Sequence, residues 1–259
     1  QLMTKPIQVK NITIGEGIPK ICVPLTGKRK EEILEEAKAV AEAGADLAEW
    51  RADFFEGLSD REEREEVLNA LSDILGQIPL LFTIRTKNEG GNIQISTEDY
   101  VNYNMDAARS GKADLIDVEV FGDEQEKVKL IQSLHEINAI VVASSHDFLK
   151  TDIREILLER FKIMDRTGAD ILKMAVMPKE FADVAAIMQA TCDMAENFTE
   201  KPLISMAMGE EGMISRIAGE NFGSCITFGT VGEASAPGQL PLRELKRMMN
   251  ALHIKNEEK

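Results

Sequence analysis

The chain has 259 residues, 44% of them hydrophobic, enough to bury a sizeable core in one large domain or two small ones. Thirty Lys and Arg against 45 Asp and Glu leave a formal net charge of −15. That balance argues against a nucleic-acid partner, which needs clustered cations to neutralise phosphates. The opening segment, "IQVKNITIGEG", alternates polar and apolar residues and predicts a β-hairpin over 7–17. From there apolar runs with β character alternate with longer stretches of helical period. Ile21–Thr26 leads into a helix over Arg29–Ala43, which Gly44 ends as a left-handed C-terminal residue should. Leu47–Phe55 leads into Asp60–Leu75, with Ser59 as N-cap. Leu80–Thr86 leads into Thr97–Arg109 with Gly111 behind it, and Leu115–Val120 into Glu124–Ile137. Ala139–Ser144 leads into Asp152–Thr167, closed by Gly168, and Ile171–Met177 into Glu180–Asn197. Leu203–Met208 leads into Gly212–Asn221, and Ile226–Val231 into Pro241–Leu252.

Alternating strand and helix implies a parallel sheet. Eight such units in one chain of this length fit a (β/α)8 TIM barrel better than an open doubly wound sheet, with the hairpin closing the barrel floor. The whole chain reads as one barrel domain; Gln1 and Leu2, ahead of Met3, are set aside as a vector remnant. No apolar run approaches the ~20 residues of a membrane span, and no basic start followed by an apolar block marks a signal peptide. Three cysteines, Cys22, Cys192 and Cys225, form no CxxC pair, which disfavours a disulfide framework or a cysteine zinc cage and fits a reducing cytoplasm.

In such a barrel the chemistry sits at the C-terminal ends of the strands. The sixth predicted strand, "ILKMAVM", places Lys173, Ala175 and Met177 on one face and Leu172, Met174 and Val176 on the helix-facing side. Lys173 therefore points inward, where desolvation lowers an amine's pKa and makes it a carbonyl nucleophile. The plainer reading is a lysine paired with a barrel carboxylate. Of three histidines, His135 lies mid-helix, His253 near the charged C-terminus, and only His146 at a strand end, so it is the one acid/base candidate. The second strand carries Glu49, Arg51 and Asp53 on one parity, the third ends at Arg85 before "TKNEGGN" with Glu89, and the fourth carries Asp117 and Glu119. These charges form a self-neutralising network, a substrate grip, or both. Met206 and Met208 share a face that reads as core or as a substrate wall. The loop "GTVGEASAPGQLP" reads as a phosphate cradle or as a closing lid. A catalytic zinc wants two or three histidines, so metal catalysis is disfavoured; an all-carboxylate magnesium site at Asp117 and Glu119 is the alternative, made redundant by Lys173 nearby, and no GxGxxG or GxxxxGK[ST] fingerprint is present.

Six segments in order, "EWRADFF" (49–55), "FTIRTKNEGG" (82–91), "ASSHDF" (143–148), "ILKMAVMP" (171–178), "SMAMG" (205–209) and "FGTVGEASAPGQ" (228–239), resemble the type I 3-dehydroquinate dehydratase family over essentially the whole chain. The resemblance implies a barrel that converts 3-dehydroquinate to 3-dehydroshikimate in the shikimate pathway without metal or cofactor, as a homodimer built through exposed helix faces. It implies Lys173 as the Schiff-base lysine, His146 as general acid and base, and Glu89 as the group orienting that histidine. It implies substrate contacts from Glu49, Arg51 and Arg85, a carboxylate-binding Arg216, lid residues Ser235 and Gln239, and apolar walls at Met206 and Met208. Pro24 and Phe54 stand at positions where members of the family differ. Two rival readings are a Schiff-base aldolase, which also carries a lysine on a barrel strand, and a non-catalytic barrel that binds a metabolite.

Overall fold

A computed structural model describes residues 4–232 and 238–255. Two short antiparallel strands, β1 (Ile7–Val9) and β2 (Ile12–Ile14), form the expected hairpin. Eight parallel strands follow: β3 (Lys20–Leu25), β4 (Leu47–Arg51), β5 (Leu80–Thr83), β6 (Leu115–Glu119), β7 (Ile140–Asp147), β8 (Ile171–Val176), β9 (Leu203–Ala207) and β10 (Ile226–Phe228). They pair in the order β10-β3-β4-β5-β6-β7-β8-β9. A parallel bridge between Leu203 and Ser224 brings the two ends of that order together and completes the barrel. The intervening helices are α1 (Lys30–Ala43), α2 (Arg61–Leu75), α3 (Thr97–Arg109), α4 (Glu124–Glu136), α5 (Arg154–Arg166), α6 (Phe181–Asn197), α7 (Met213–Ile217), α8 (Gly219–Phe222) and α9 (Leu242–Leu252).

The alternation of side chains along each strand separates two cores. Leu172, Met174 and Val176 of β8 pack with Trp50, Phe82, Phe161 and Ile187 between sheet and helices. Ile171 and Ala175, of the other parity, pack inside the barrel with Leu47, Leu81, Leu115, Val142, Ile204 and Ile226. Val9 and Ile14 of the hairpin belong to this inner cluster, so the hairpin closes the floor with apolar side chains. The lower barrel is thus an apolar plug, and the polar inward residues lie in the layers above it.

Several boundaries differ from the sequence reading. Gly44 does end α1 with φ 72°, but α2 is capped by Asp60, whose carboxylate accepts from the Glu63 N–H, rather than by Ser59. The second barrel strand stops at Arg51 and turns into a 3₁₀ segment at Ala52–Phe54 instead of running to Phe55. Conversely β7 continues to Asp147, three residues past Ser144, and so includes His146. The predicted helix Gly212–Asn221 is two short helices broken at Ala218, whose φ of −100° and ψ of 16° leave the helical region.

Candidate active site

Register fixes which inward residues become neighbours. Ser144 of β7 pairs with Lys173 of β8, and His146 pairs with Ala175 one inward step higher. Lys173 and His146 therefore stand on adjoining strands, one layer apart, at the C-terminal end of the barrel. Lys173 is 5% exposed, and among the described residues no hydrogen bond or ion pair holds its amine. It lies 4.2 Å from the centroid of the Phe228 ring, a cation–π contact from the inward face of β10. Burial pushes the Lys173 pKa down; Glu49 opposes this, Arg85 adds to it, and Asp117 opposes it again. Among the described residues, then, no carboxylate is paired with Lys173 as the plainer reading expects.

His146 is held by Glu89. One carboxylate oxygen, Oε1, accepts the His146 backbone N–H at 2.8 Å and lies 3.0 Å from Nδ1. An oxygen that already accepts the main-chain donor favours a proton on Nδ1, leaving Nε2 with its lone pair. Burial, then the positive charges of Arg85, Lys173 and Arg51, keep the imidazole well below its ordinary pKa. Burial and the neighbouring Glu119 push Glu89 up to about 8, against the pull of Arg85. Phe148 stacks beside His146 with ring centroids 6.4 Å apart. The other two histidines pair with carboxylates elsewhere, His135 with Asp170 and His253 with Glu220.

Glu89 rides on a turn after β5 that only glycine accommodates. Gly90 has φ +80° and lies under the Phe148 ring, while a Cβ on Gly91 would strike the Arg85 carbonyl. Two buried carboxylates grip the turn from either side. Asp53 accepts the Arg85 and Asn92 backbone N–H groups at 3.2 and 3.1 Å. Glu119 accepts the Thr86 N–H at 3.0 Å and its hydroxyl at 2.6 Å.

The arginines divide into two kinds. Arg85 is buried and spent within the protein: it meets Asp117 through two nitrogens at 3.1 and 3.0 Å, Glu119 at 2.9 Å and the Ser144 hydroxyl at 3.1 Å. Arg51 is forked onto Asp53 at 2.8 and 2.9 Å, with Phe54 beneath its guanidinium at 5.0 Å. Among the described residues Arg216 on α7 meets no carboxylate; its Nε is buried without a partner there, and Nη1 meets the Met206 sulfur at 3.8 Å. A buried guanidinium with an idle donor is primed for an anionic ligand. Glu49 accepts the Thr83 hydroxyl at 2.7 Å. Met206 and Met208 belong to the inner cluster near the mouth. Gln239 follows the loop after β10, and Ser235 lies outside the described residues.

A crevice of about 970 Å³ flanks the His146–Glu89 pair, walled in part by Thr86, Glu119, Tyr100, Lys127 and Phe148. Among the described residues no three His, Cys, Asp or Glu are grouped to hold a metal ion, and no helix is long and apolar enough to cross a membrane. Thr83, Thr86, Asn92 and Phe228 were not singled out by the sequence. Inward parity would have found Thr83 and Phe228; Thr86 and Asn92 each act through a backbone N–H and a side chain together, and neither lies on a strand whose parity could point to it.

A barrel with polar groups gathered at the C-terminal ends of its strands, and a buried unpaired amine among them, defines an enzyme acting on a small molecule. The family model described as type I 3-dehydroquinase matches residues 21–256. A 3-dehydroquinate dehydratase of Klebsiella pneumoniae (strain 342) is 46% identical over 253 residues, covering 96% of this chain and 100% of the relative. One from Bacillus licheniformis is 44% identical over 251 residues, 97% of this chain and 99% of the relative. The crystal structure of type I 3-dehydroquinate dehydratase from Clostridium difficile, with covalently modified comenic acid, superposes with a TM-score of 0.93 at 44% identity, covering 96% of this chain and 98% of that one. The chain belongs to the type I 3-dehydroquinase family. It is an enzyme of that class, a hydro-lyase.

Proposed function

We propose that the chain dehydrates 3-dehydroquinate to 3-dehydroshikimate through an imine on Lys173, with His146 as the single base and acid, as a step of the shikimate pathway. The observation that carries this reading is the Lys173 amine: buried, lowered in pKa, ion-paired to no carboxylate among the described residues, and one register step from an imidazole with an available Nε2. The covalently modified ligand of the C. difficile relative fits a nucleophile in that family.

The neutral Lys173 amine adds to the ring ketone, and loss of water gives the protonated imine. That cation acidifies the neighbouring C–H. His146 Nε2 takes the proton and the electron pair moves toward the imine nitrogen, giving an enamine. The pair then returns to expel the β-hydroxyl, which leaves as water with the proton His146 carries, and hydrolysis of the imine frees Lys173. One histidine suffices because it serves as base and then as acid. Glu89 orients it and stabilises its transient cation. Glu49, Arg51 and Arg85 would meet or order the contacts to the substrate's hydroxyls, Arg216 its carboxylate, Met206 and Met208 its apolar side, and Ser235 and Gln239 would close over the ring. The reading requires neither metal nor cofactor.

We read the enzyme as a cytoplasmic homodimer. Supporting this are three cysteines with no disulfide and exposed apolar side chains at Leu149, Ile153, Ile156 and Ile163, on α5 and the loop before it. The test of function is direct. Adding 3-dehydroquinate should produce enone absorbance, and borohydride should trap a substrate adduct on Lys173. Folded protein that yields neither signal would refute the reading.

A further inference from the structure

We propose that Glu119 is a positioning residue for the reaction: its carboxylate clamps the turn that carries Glu89 and thereby holds His146 in the orientation that moves protons. The inference rests on the proposed acid/base role of His146 and goes beyond it, to the group that sets the pair's geometry from the neighbouring strand.

The chain of contacts is short. Glu119 ends β6. Its Oε1 takes the Thr86 hydroxyl at 2.6 Å and its Oε2 takes the Thr86 N–H at 3.0 Å. The Thr86 carbonyl in turn accepts the N–H groups of Glu89 and Gly91 at 3.0 and 2.8 Å. Glu89 then holds His146 through two bonds to one oxygen. Three residues thus link β6 to a ring nitrogen on β7, and each link is a fixed hydrogen bond.

Charge balance for Arg85 does not account for Glu119. Asp117 already meets Arg85 through both oxygens, and the second oxygen of Glu119 is turned away toward Thr86. The main chain of Glu119 is pinned as firmly as its side chain. Its N–H donates to the Tyr100 hydroxyl at 2.9 Å, and its carbonyl accepts the Lys127 amine at 2.8 Å. Lys127 itself lies 4.7 Å from the Tyr100 ring centroid. Such bracing is what a clamp requires and a simple counter-ion does not.

Glu119 also sets the field at Glu89. The charged groups around that carboxyl are Arg85 after β5, Asp117 and Glu119 on β6, His146 on β7 and Lys127 on α4. Of these, Glu119 contributes the largest charge effect raising Glu89, with Asp117 adding to it and Arg85 opposing. Neutralising Glu119 therefore lowers the pH at which Glu89 takes up its proton.

The experiment compares Glu119→Ala, Glu119→Gln and Thr86→Val with the wild type in steady-state dehydration, borohydride trapping and pH–rate profiles. Glu119→Ala should lower kcat at least tenfold with KM changed less than threefold, while the Lys173 adduct still forms. Glu119→Gln can hold both groups of Thr86, its amide oxygen accepting the N–H and its amide nitrogen donating to the hydroxyl oxygen, so it should recover most of kcat and move the acidic limb of the kcat profile to lower pH. Thr86→Val cuts only the hydroxyl bond and should lower kcat about threefold with the acidic limb in place. A Glu119→Ala enzyme with wild-type kcat, or one that loses adduct formation in step with turnover, overturns the clamp. If Glu119→Ala does not fold, unchanged kcat in Thr86→Val together with an unmoved limb in Glu119→Gln overturns it. Absence of the adduct in the wild type would instead refute the imine reading, which separates the two failures.

Discussion

Glu89 Oε1 holds His146 at two points, the backbone N–H at 2.8 Å and Nδ1 at 3.0 Å, so ring position and tautomer are set by one atom. His146→Ala should lower kcat by about 10²–10⁴-fold, the usual worth of a positioned acid/base group. The Lys173 adduct should still be trapped, because the amine does not depend on the imidazole for its burial. Glu89→Ala leaves the imidazole present but unheld and should cost less than the loss of His146 itself. Enone absorbance and intact-protein mass after borohydride read both; near-wild-type turnover in His146→Ala would rule out its role.

The same pair makes a prediction about pH. His146 is pushed well below the ordinary 6.5 by burial and by Arg85, Lys173 and Arg51, so ¹⁵N resonances at pH 6.5 should show a neutral ring protonated on Nδ1. Glu89 is raised from 4.5 to about 8 by burial and Glu119. Because the folded protein then binds a proton that the unfolded chain has released, Glu89 contributes less stability as pH rises from 4.5 toward 8. Glu89→Gln, which does not titrate, should gain on the wild type across that window and hold a constant margin above it. Urea denaturation at several pH values measures the margin; a margin that shrinks as pH rises would contradict the shift.

Much of this site is legible from two-residue periodicity. Lys173, Glu49, Arg51, Asp117 and Glu119 occupy alternate positions on strands whose other face is apolar, and register then stacks them inward. The polarity of Asp53 was legible, but its task was not. The strand ends at Arg51, and Asp53 returns to Arg51 and to the 85–92 turn only because a 3₁₀ segment folds it back. Ser59 and Asp60 are both competent caps, and only the first helical residue decides between them. The lysine's seat on Phe228 depends on how β10 is set beside β9 at the Leu203–Ser224 bridge, a register that the residue pattern of a three-residue strand does not state. Glu119's work on the turn runs partly through a backbone N–H that every residue but proline possesses, and partly through a threonine hydroxyl beyond the end of β5 that strand parity does not reach.

Arg85 and Arg216 should fail in opposite ways. Removing Arg85 leaves Asp117 and Glu119 buried without their cation, so Arg85→Met should destabilise the fold by about 3–5 kcal/mol. Arg216 meets no carboxylate among the described residues, so Arg216→Lys should leave the melting temperature within a few degrees while KM rises tenfold or more, through loss of the two-pronged contact proposed for the substrate carboxylate. Calorimetry with steady-state kinetics separates the two. A strong loss of stability in Arg216→Lys, or none in Arg85→Met, would reverse the assignment.

Lys173 offers the clearest opposition between stability and activity. Its amine is buried, touches the Phe228 ring and is ion-paired to no carboxylate among the described residues, so its burial disfavours the charged form and lowers its pKa. The unfolded chain then binds a proton that the folded protein holds less tightly, and this opposes folding at neutral pH. As pH rises toward the ordinary 10.5 the unfolded lysine also loses its proton, and the penalty fades. Lys173→Met matches the volume with an apolar side chain. It should abolish turnover and the borohydride adduct while raising stability by about 1 kcal/mol or more, as exchanges of buried ionic groups for apolar ones often do. The gain should be largest near pH 7 and shrink toward alkaline pH. Denaturant titrations at pH 7 and pH 10 measure it. A Lys173→Met protein less stable than the wild type would show that the amine supports the barrel rather than being tolerated by it for its chemistry.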